Sequence, residues 1–324
     1  MSAARDTRHA AAPVRVLLAA PRGFCAGVRR AIDAVEDALR AFGPPVYVRH
    51  AIVHNAEVVR ALEAQGAIFV EELDDVPDNS VVIFSAHGTP PSVAREAARR
   101  GLTTYDAVCP LVAKVHREVT RHHRAGRHIL LIGHSEHPEI AGTLAQVPLG
   151  AVSVVATLEE IAALTLPSTT PCAYAVQTTF SVADAEQLIT SLHARFPLLD
   201  APPASDICYA TTNRQAALRA IAPRADAVIV VGAAFSSNAN RLVEVAGAAG
   251  CAQVQLVSGP EALNWQAIVR ARTIGMTAAA STPESSVNAV LEALRGRLVL
   301  TVEEVTSVTE TTSFRPLSIA RSGR

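Results

Sequence analysis

Short apolar runs alternate with amphipathic stretches along most of the chain. Val14 to Ala19 reads as a strand, an apolar run broken only by Arg15 that ends at a Pro/Gly turn. Beyond the turn, Val28, Ile32, Val35, Leu39 and Phe42 recur at steps of three and four, which predicts one apolar face of a helix. Strands are then expected at 46–49, 67–70, 81–85 and 102–105, with helices reaching about Gln65 and Arg100 between them. The middle of the chain repeats the scheme. A helix runs from Cys109 to about Gly126, strands follow at 128–132, 152–156 and 172–176, and helical segments fill the gaps up to Phe196. Pro197 to Ala204, with three prolines, reads as a linker. The last third has a helix from Cys208 to about Ala222, strands at 227–231, 254–257, 273–277 and 298–302, and helices ending near Gly247, Val269 and Leu294.

Strands alternating with helices imply parallel sheets, and the threefold repetition implies three similar small α/β units in a pseudo-threefold, trefoil-like arrangement. The expected boundaries are 14–107, 108–206 and 207–300, with a disordered tail at 1–13 and a polar C-terminal tail at 301–324. In such sheets ligands gather outside the strand C-termini.

Each unit opens with a cysteine at a loop-to-helix junction: Cys25 in Pro21-Arg22-Gly23-Phe24-Cys25-Ala26-Gly27-Val28, Cys109 before Pro110, and Cys208 in Asp206-Ile207-Cys208-Tyr209. Proline suits the first helical position. A thiol at a helix N-terminus is biased toward thiolate by the helix dipole, which suits a metal ligand or nucleophile. Three distant cysteines that converge fit a cubane iron–sulfur cluster with one iron left open, since four would saturate it. Zinc held by three cysteines and a histidine is the other metal reading, although none of the three lies in a Cys-x-x-Cys pair. Cys172, in mid-strand, and Cys251 read as small buried hydrophobes.

Composition narrows the partners. The 324 residues carry a net charge of −1, which gives no reason to expect nucleic acid or an anionic membrane as partner. Five cysteines without a secretory h-region point to a reducing compartment, the cytoplasm. No stretch approaches the roughly 18 apolar residues of a membrane span.

The loops after the strands are rich in hydrogen-bond donors: His54 and Asn55, His87, His134 and His137, Thr178 and Thr179, Ser236, Ser237 and Asn238, and Ser281. Several precede helices, whose N-termini add backbone N–H groups. This is an inventory for phosphate or diphosphate without a Walker or Rossmann glycine loop. Glu139, two residues after His137, is placed to hold a proton in a desolvated site. His116, His122, His123 and His128, on or beside an Arg-rich helix, read as solvated.

Together, Pro21 to Val28, Arg49-His50 with Val53-His54-Asn55, Ser85-Ala86-His87-Gly88, Cys109-Pro110-Leu111-Val112, His137-Pro138-Glu139, Gln177-Thr178-Thr179 and Asp206 to Arg214 resemble the IspH/LytB family of 4-hydroxy-3-methylbut-2-enyl diphosphate reductases. The resemblance runs from about Val14 to about Leu294. It implies reductive removal of an allylic hydroxyl, giving isopentenyl and dimethylallyl diphosphate at the end of the methylerythritol phosphate route. It further implies one 4Fe-4S cluster per chain on Cys25, Cys109 and Cys208. The diphosphate would be held by His54, His87, His137, Ser236, Ser237, Asn238 and Ser281. Thr178 would lie at the substrate hydroxyl, Glu139 would supply protons, and reduced ferredoxin or flavodoxin would be the electron donor. The chain departs from the family pattern at Val108, Glu136, Ala233-Ala234-Phe235 and Ala279. The alternatives are a three-cysteine cluster hydro-lyase or synthase on another anionic substrate, and a non-catalytic iron or redox sensor.

Overall fold

The computed structural model describes residues 13–319, so the expected N-terminal tail lies almost wholly outside the described residues. In chain order the elements are β1 Val14–Ala20, α1 Ala26–Phe42, β2 Val46–Arg49, α2 Ala56–Glu63, β3 Ala67–Val70, β4 Val81–Phe84, α3 Pro91–Arg99 and β5 Thr103–Asp106. Next come α4 Pro110–Arg124, β6 His128–Ile132, α5 Pro138–Leu144, β7 Val152–Val155, α6 Leu158–Ala163, β8 Cys172–Val176, α7 Val182–Arg195 and β9 Leu199–Asp200. The remainder is α8 Tyr209–Ile221, β10 Ala227–Val231, α9 Ser237–Ala248, β11 Val254–Val257, α10 Trp265–Ile268, β12 Thr273–Ala278, α11 Glu284–Arg295 and β13 Leu300–Thr306.

Among the described residues all strand pairs are parallel and fall into three sheets, ordered β3-β2-β4-β5, β7-β6-β8-β9 and β11-β10-β12-β1-β13. The first two share one topology, second–first–third–fourth strand. In the third sheet the fourth place is filled by β1 from the N-terminal end of the chain. Val14–Ala20 therefore leaves the first unit, where the sequence reading put it, and joins the third. The reason is its composition: β1 is apolar on both faces, with Val16, Leu17 and Ala19 fully buried, which suits a central strand.

The expected tail is also partly corrected. Residues 300–306 pair with β1 along its whole length, from Val14 opposite Leu300 to Ala20 opposite Thr306. This edge strand carries Glu303 and Glu304, ion-paired with Arg15 (2.5 Å), Arg224 (3.3 Å) and Arg22 (2.8 Å). Charges on an edge strand discourage further pairing and make it read as polar tail. Within the expected linker, Leu199–Asp200 forms the short edge strand β9 against Cys172 and Ala173. The helix expected over 261–269 divides into a 3-10 turn at Pro260–Ala262 and the four-residue α10. His122 is buried rather than solvated.

The helix after each cysteine packs onto a different sheet from the strand before it. Apolar residues of α1 (Ala31, Val35, Leu39) lie on β2 and β4, Val115 and Val119 of α4 on β6 and β8, and Ala217, Leu218 and Ile221 of α8 on β1 and β10. Leu17, wholly buried in this last layer, tests the placement of β1. Leu17→Ala is expected to cost about 2–5 kcal/mol in urea unfolding; a loss below about 1 kcal/mol would contradict a central strand.

Candidate functional site

Three helix starts and the loops after six strands face one cavity. Cys25, Cys109 and Cys208 line it together with His54, His87, His137, Glu139, Thr178, Ser236, Ser237, Asn238 and Ser281. The structure thus gathers at one place the residues that the sequence reading singled out, from positions more than 250 residues apart.

Each cysteine is the residue that begins its helix. Cys25 Sγ accepts from the Val28 N–H (3.4 Å), and Cys208 Sγ accepts from Thr211 N–H (3.3 Å) and lies 3.1 Å from Thr211 Oγ1. Cys109 precedes Pro110 at the first helical position, and its sulfur makes no capping bond. Gly27 leaves room between thiols, since a Cβ there would sit 2.8 Å from Cys109 Sγ and 3.8 Å from Cys25 Sγ. The Tyr209 hydroxyl accepts from the Ala26 N–H at 2.9 Å, tying the start of α1 to the start of α8. The expected bias toward thiolate does not hold for Cys109 and Cys208. Burial, reinforced by neighbouring thiols, pushes Cys109 up to about 12 and Cys208 up to about 11. In a dry cavity desolvation outweighs the pull of a helix terminus.

Glu139 is 2 % exposed, and burial raises its pKa to about 7 against the opposing pull of Thr178. The Thr178 backbone N–H and hydroxyl each donate to it at 2.7 Å, one to each carboxyl oxygen. This is a carboxyl held half-protonated near neutral pH and fixed in orientation, the condition for moving a proton in either direction. The three histidines form a contiguous group, with ring centroids at 4.2 Å (His54–His87), 5.6 Å (His54–His137) and 6.2 Å (His87–His137). Burial lowers His54 to about 4 and His137 to about 3, and with the other imidazoles it takes His87 well below the usual value. With burial disfavouring the imidazolium, each neutral ring carries a single N–H. His137 Nδ1 accepts from the Glu139 N–H at 3.2 Å, so its proton sits on Nε2.

Several polar atoms here are buried without a partner: His54 Nε2 and both Asn238 amide atoms. Orphaned buried polar atoms in a cavity mark the place of a polar ligand. Ser236 caps α9 by accepting from the Ala239 N–H at 3.4 Å, which leaves its proton free. Ser237 lies 3.2 Å from Thr179 Oγ1 and accepts from Gln177 Nε2 at 3.3 Å. Ser281 donates to the His54 carbonyl at 3.0 Å and must rotate to donate elsewhere.

The profile of the LytB protein family matches residues 16–295. The chain belongs to the LytB family. Among its relatives, the 4-hydroxy-3-methylbut-2-enyl diphosphate reductases of Gluconobacter oxydans and Paracoccus denitrificans are each 52 % identical to it. The alignments cover 93 % and 95 % of this chain and 91 % and 98 % of those proteins. The solved structure of the E-1-hydroxy-2-methyl-but-2-enyl-4-diphosphate reductase from Plasmodium falciparum superposes with a TM-score of 0.91 at 37 % identity, over 94 % of this chain and 96 % of that one. A second solved reductase, described as the terminal enzyme of the non-mevalonate pathway, gives 0.62 at 29 % identity over 87 % and 99 %. The likeness to these LytB-family structures agrees with the three-unit α/β architecture.

Other residues lie outside the sequence reading or apart from the cavity. His134 is exposed and 3.2 Å from Arg241, and Glu136 and Phe235 flank His54 and His137 on the outer side of the cavity. The methyl of Ala279 packs against Gly232, where an added Cβ would meet it at 3.2 Å. Tyr209, Leu111, Val112 and Phe314 also line the cavity, and Phe314 belongs to the segment beyond the family match. Their signal was weak, because apolar lining residues look like core in a sequence.

Burial of Glu139 has a measurable cost. Its folded pKa lies above the ordinary 4.5, so the folded protein holds the extra proton and loses stability as pH rises from about 4.5 through about 7. Glu139→Gln keeps the shape and can still pair with Thr178. It is expected to be more stable than the unchanged protein at pH 8 by about 1–3 kcal/mol, with the gap closing toward pH 4.5. Urea unfolding of the metal-free protein at both values checks the sign.

Proposed function

We infer that this LytB-family chain reduces 4-hydroxy-3-methylbut-2-enyl diphosphate to isopentenyl and dimethylallyl diphosphate, the last step of the methylerythritol phosphate route. The observation that carries the reading is the single cavity joining three cysteines at helix starts to a protonatable carboxyl and a set of buried polar atoms without partners.

Cys25, Cys109 and Cys208 would hold one 4Fe-4S cluster. The donor set fits: three sulfurs line one cavity, and Gly27 keeps space free beside two of them. Among the described residues no three His, Cys, Asp or Glu side chains are grouped to hold a single ion. Tetrahedral zinc draws four ligands to one point, whereas a cluster spreads its thiolates over separate irons. When bound, such a cluster supplies single electrons and an iron without a protein ligand, able to act as a Lewis acid.

The protein's own groups do the rest. His54, His87, His137, Ser236, Ser237, Asn238 and Ser281 hold the diphosphate, and the neutral imidazoles bind it as N–H donors. A bound anion also favours their charged form, so binding takes up protons. Remote binding energy of this kind fixes the reacting carbon and oxygen in place. Thr178 orients Glu139 and lies at the substrate hydroxyl. The reduction consumes two electrons and two protons: Glu139 donates the proton that lets the hydroxyl leave as water, and a second proton adds to the allylic carbon skeleton to form the new C–H bond. The apolar wall of Val28, Leu111, Val112 and Phe314 limits access of bulk water to this end. Electrons would come from reduced ferredoxin or flavodoxin. Five free cysteines fit a cytoplasmic location, and no helix among the described residues is long and apolar enough to cross a membrane.

Anaerobic turnover of the allylic diphosphate with a low-potential reductant tests the reading. Alkene and diene diphosphate products are expected, with kcat declining above pH 7 as Glu139 loses its proton, and with Glu139→Gln lowering kcat by about 10²-fold or more. Iron-loaded protein without either product would return the hydro-lyase reading. Cys25→Ser and Gly27→Ala are expected to cut iron retained after anaerobic reconstitution several-fold, read by iron assay and by visible absorbance.

A further inference from the structure

The stretch of backbone leading into each cysteine is held by a cation from the helix that starts at another cysteine. Arg30, in α1 behind Cys25, donates to the carbonyls of Val108 (3.0 Å) and Ala107 (3.4 Å), just before Cys109. Lys114, in α4 behind Cys109, donates to the carbonyls of Ala204 (2.8 Å) and Ser205 (3.0 Å) and to the Asp206 carboxylate (3.0 Å), just before Cys208. Arg214, in α8 behind Cys208, donates to the carbonyl of Gly23 (2.6 and 3.1 Å) and to that of Phe24 (3.5 Å), just before Cys25. The three cations stand five, five and six residues after their own cysteines. The grip passes from first to second, second to third, and third back to first.

This arrangement is not a set of ordinary surface ion pairs. Arg214 is fully buried, and the first and last contacts of the ring end on main-chain carbonyls alone. Backbone carbonyls have no side-chain freedom, so a cation that spans two of them fixes the path of the chain rather than adding charge attraction. Arg30 and Arg214 each keep a further donor on the segment after β13. Arg30 Nε donates to the Arg315 carbonyl at 3.0 Å, and Arg214 pairs with Glu310 at 2.8 Å. That segment brings Phe314 to the cavity wall, so the same two side chains also seat the wall.

We propose that Arg30, Lys114 and Arg214 are positioning residues that form a closed ring, each fixing the approach to the next cysteine, so that the three sulfurs keep their mutual spacing. The proposal rests on the cysteine set assigned above. It predicts a directed pattern of effects that general stabilisation does not produce.

The test uses Arg30→Gln, Lys114→Gln and Arg214→Lys, with Arg30→Lys and Lys114→Arg as conservative partners. In the iron-free protein, amide exchange should rise at least fivefold at residues 106–109 for Arg30→Gln, at 204–208 for Lys114→Gln and at 21–25 for Arg214→Lys, with the approach to the helix's own cysteine unchanged. In reconstituted protein, each should release iron to a chelator at least fivefold faster and show an altered visible and paramagnetic spectrum. Lys114→Arg and Arg30→Lys should restore iron retention to within about twofold. Exchange that rises equally at all three approaches, iron release within twofold of the unchanged protein in Arg30→Gln and Lys114→Gln, or failure of both conservative variants to rescue would overturn the ring. The exchange pattern needs neither iron nor turnover, so it separates failure of this proposal from failure of the proposed activity. Arg30 and Lys114 are partly exposed, which keeps the test open even where Arg214→Lys does not fold.

Discussion

Every cysteine of the site stands where the chain passes from one unit to another. β1, β5 and β9 each hold the fourth place in their sheets, and each runs through a short segment into a cysteine whose helix packs on a different sheet. The three crossings form a closed cycle. A sulfur at such a crossing has its position set by two units at once, so the site exists only when all three sheets are formed and docked. This explains why the N-terminal strand lies in the C-terminal unit: without β1 in the third sheet, Cys25 would be anchored on one side only.

Burial then decides the electrostatics. The cavity gathers two thiols with raised pKa, three histidines with lowered pKa and a carboxyl near neutrality, and in each the first cause is loss of water. Every one of these groups is pushed toward its uncharged form. The free pocket is therefore close to electrically silent, and charge enters with what binds. Metal loading at the thiols would have to drive protons off them, which would couple it to pH and to folding. A diphosphate bound among the imidazoles would do the reverse, drawing protons toward them. Glu139, gripped by Thr178 on both oxygens, is the group left to exchange a proton without large movement.

Much of this was legible in the sequence, for physical reasons that differ between elements. Parallel strands buried on both faces, such as β10 with all five residues buried, announce themselves as apolar runs. The cysteine junctions stood out because a Cys before a helix start recurs three times at the same point of the repeat. Strand order did not stand out. Parallel sheets are built through crossovers, so adjacency in sequence says little about adjacency in the sheet, and β1 was assigned to the wrong neighbour. β13 was hidden by Glu303 and Glu304, charges that protect an edge and mimic a tail. A helix start suggests a thiolate, but a sequence does not reveal how dry that start is, and at Cys109 and Cys208 burial wins.

The cations were invisible for a further reason. Arg30, Lys114 and Arg214 act on main-chain carbonyls, and a carbonyl has no identity in a sequence, so no pattern pairs the donor with its acceptor. Only the fold shows that an arginine five residues after one cysteine reaches the approach to another. The arrangement also accounts for the cost of burying Arg214. A guanidinium taken wholly out of water is tolerated when its donors are satisfied, here by Gly23, Phe24, Ala210 and Glu310. Four partners drawn from three separate parts of the chain bind the start of α1, the start of α8 and the segment carrying Phe314 into one body. A fold that shares a site among three units needs such cross-links where the units meet. Hydrophobic packing fills each interface but does not by itself fix the direction in which a short loop delivers its sulfur.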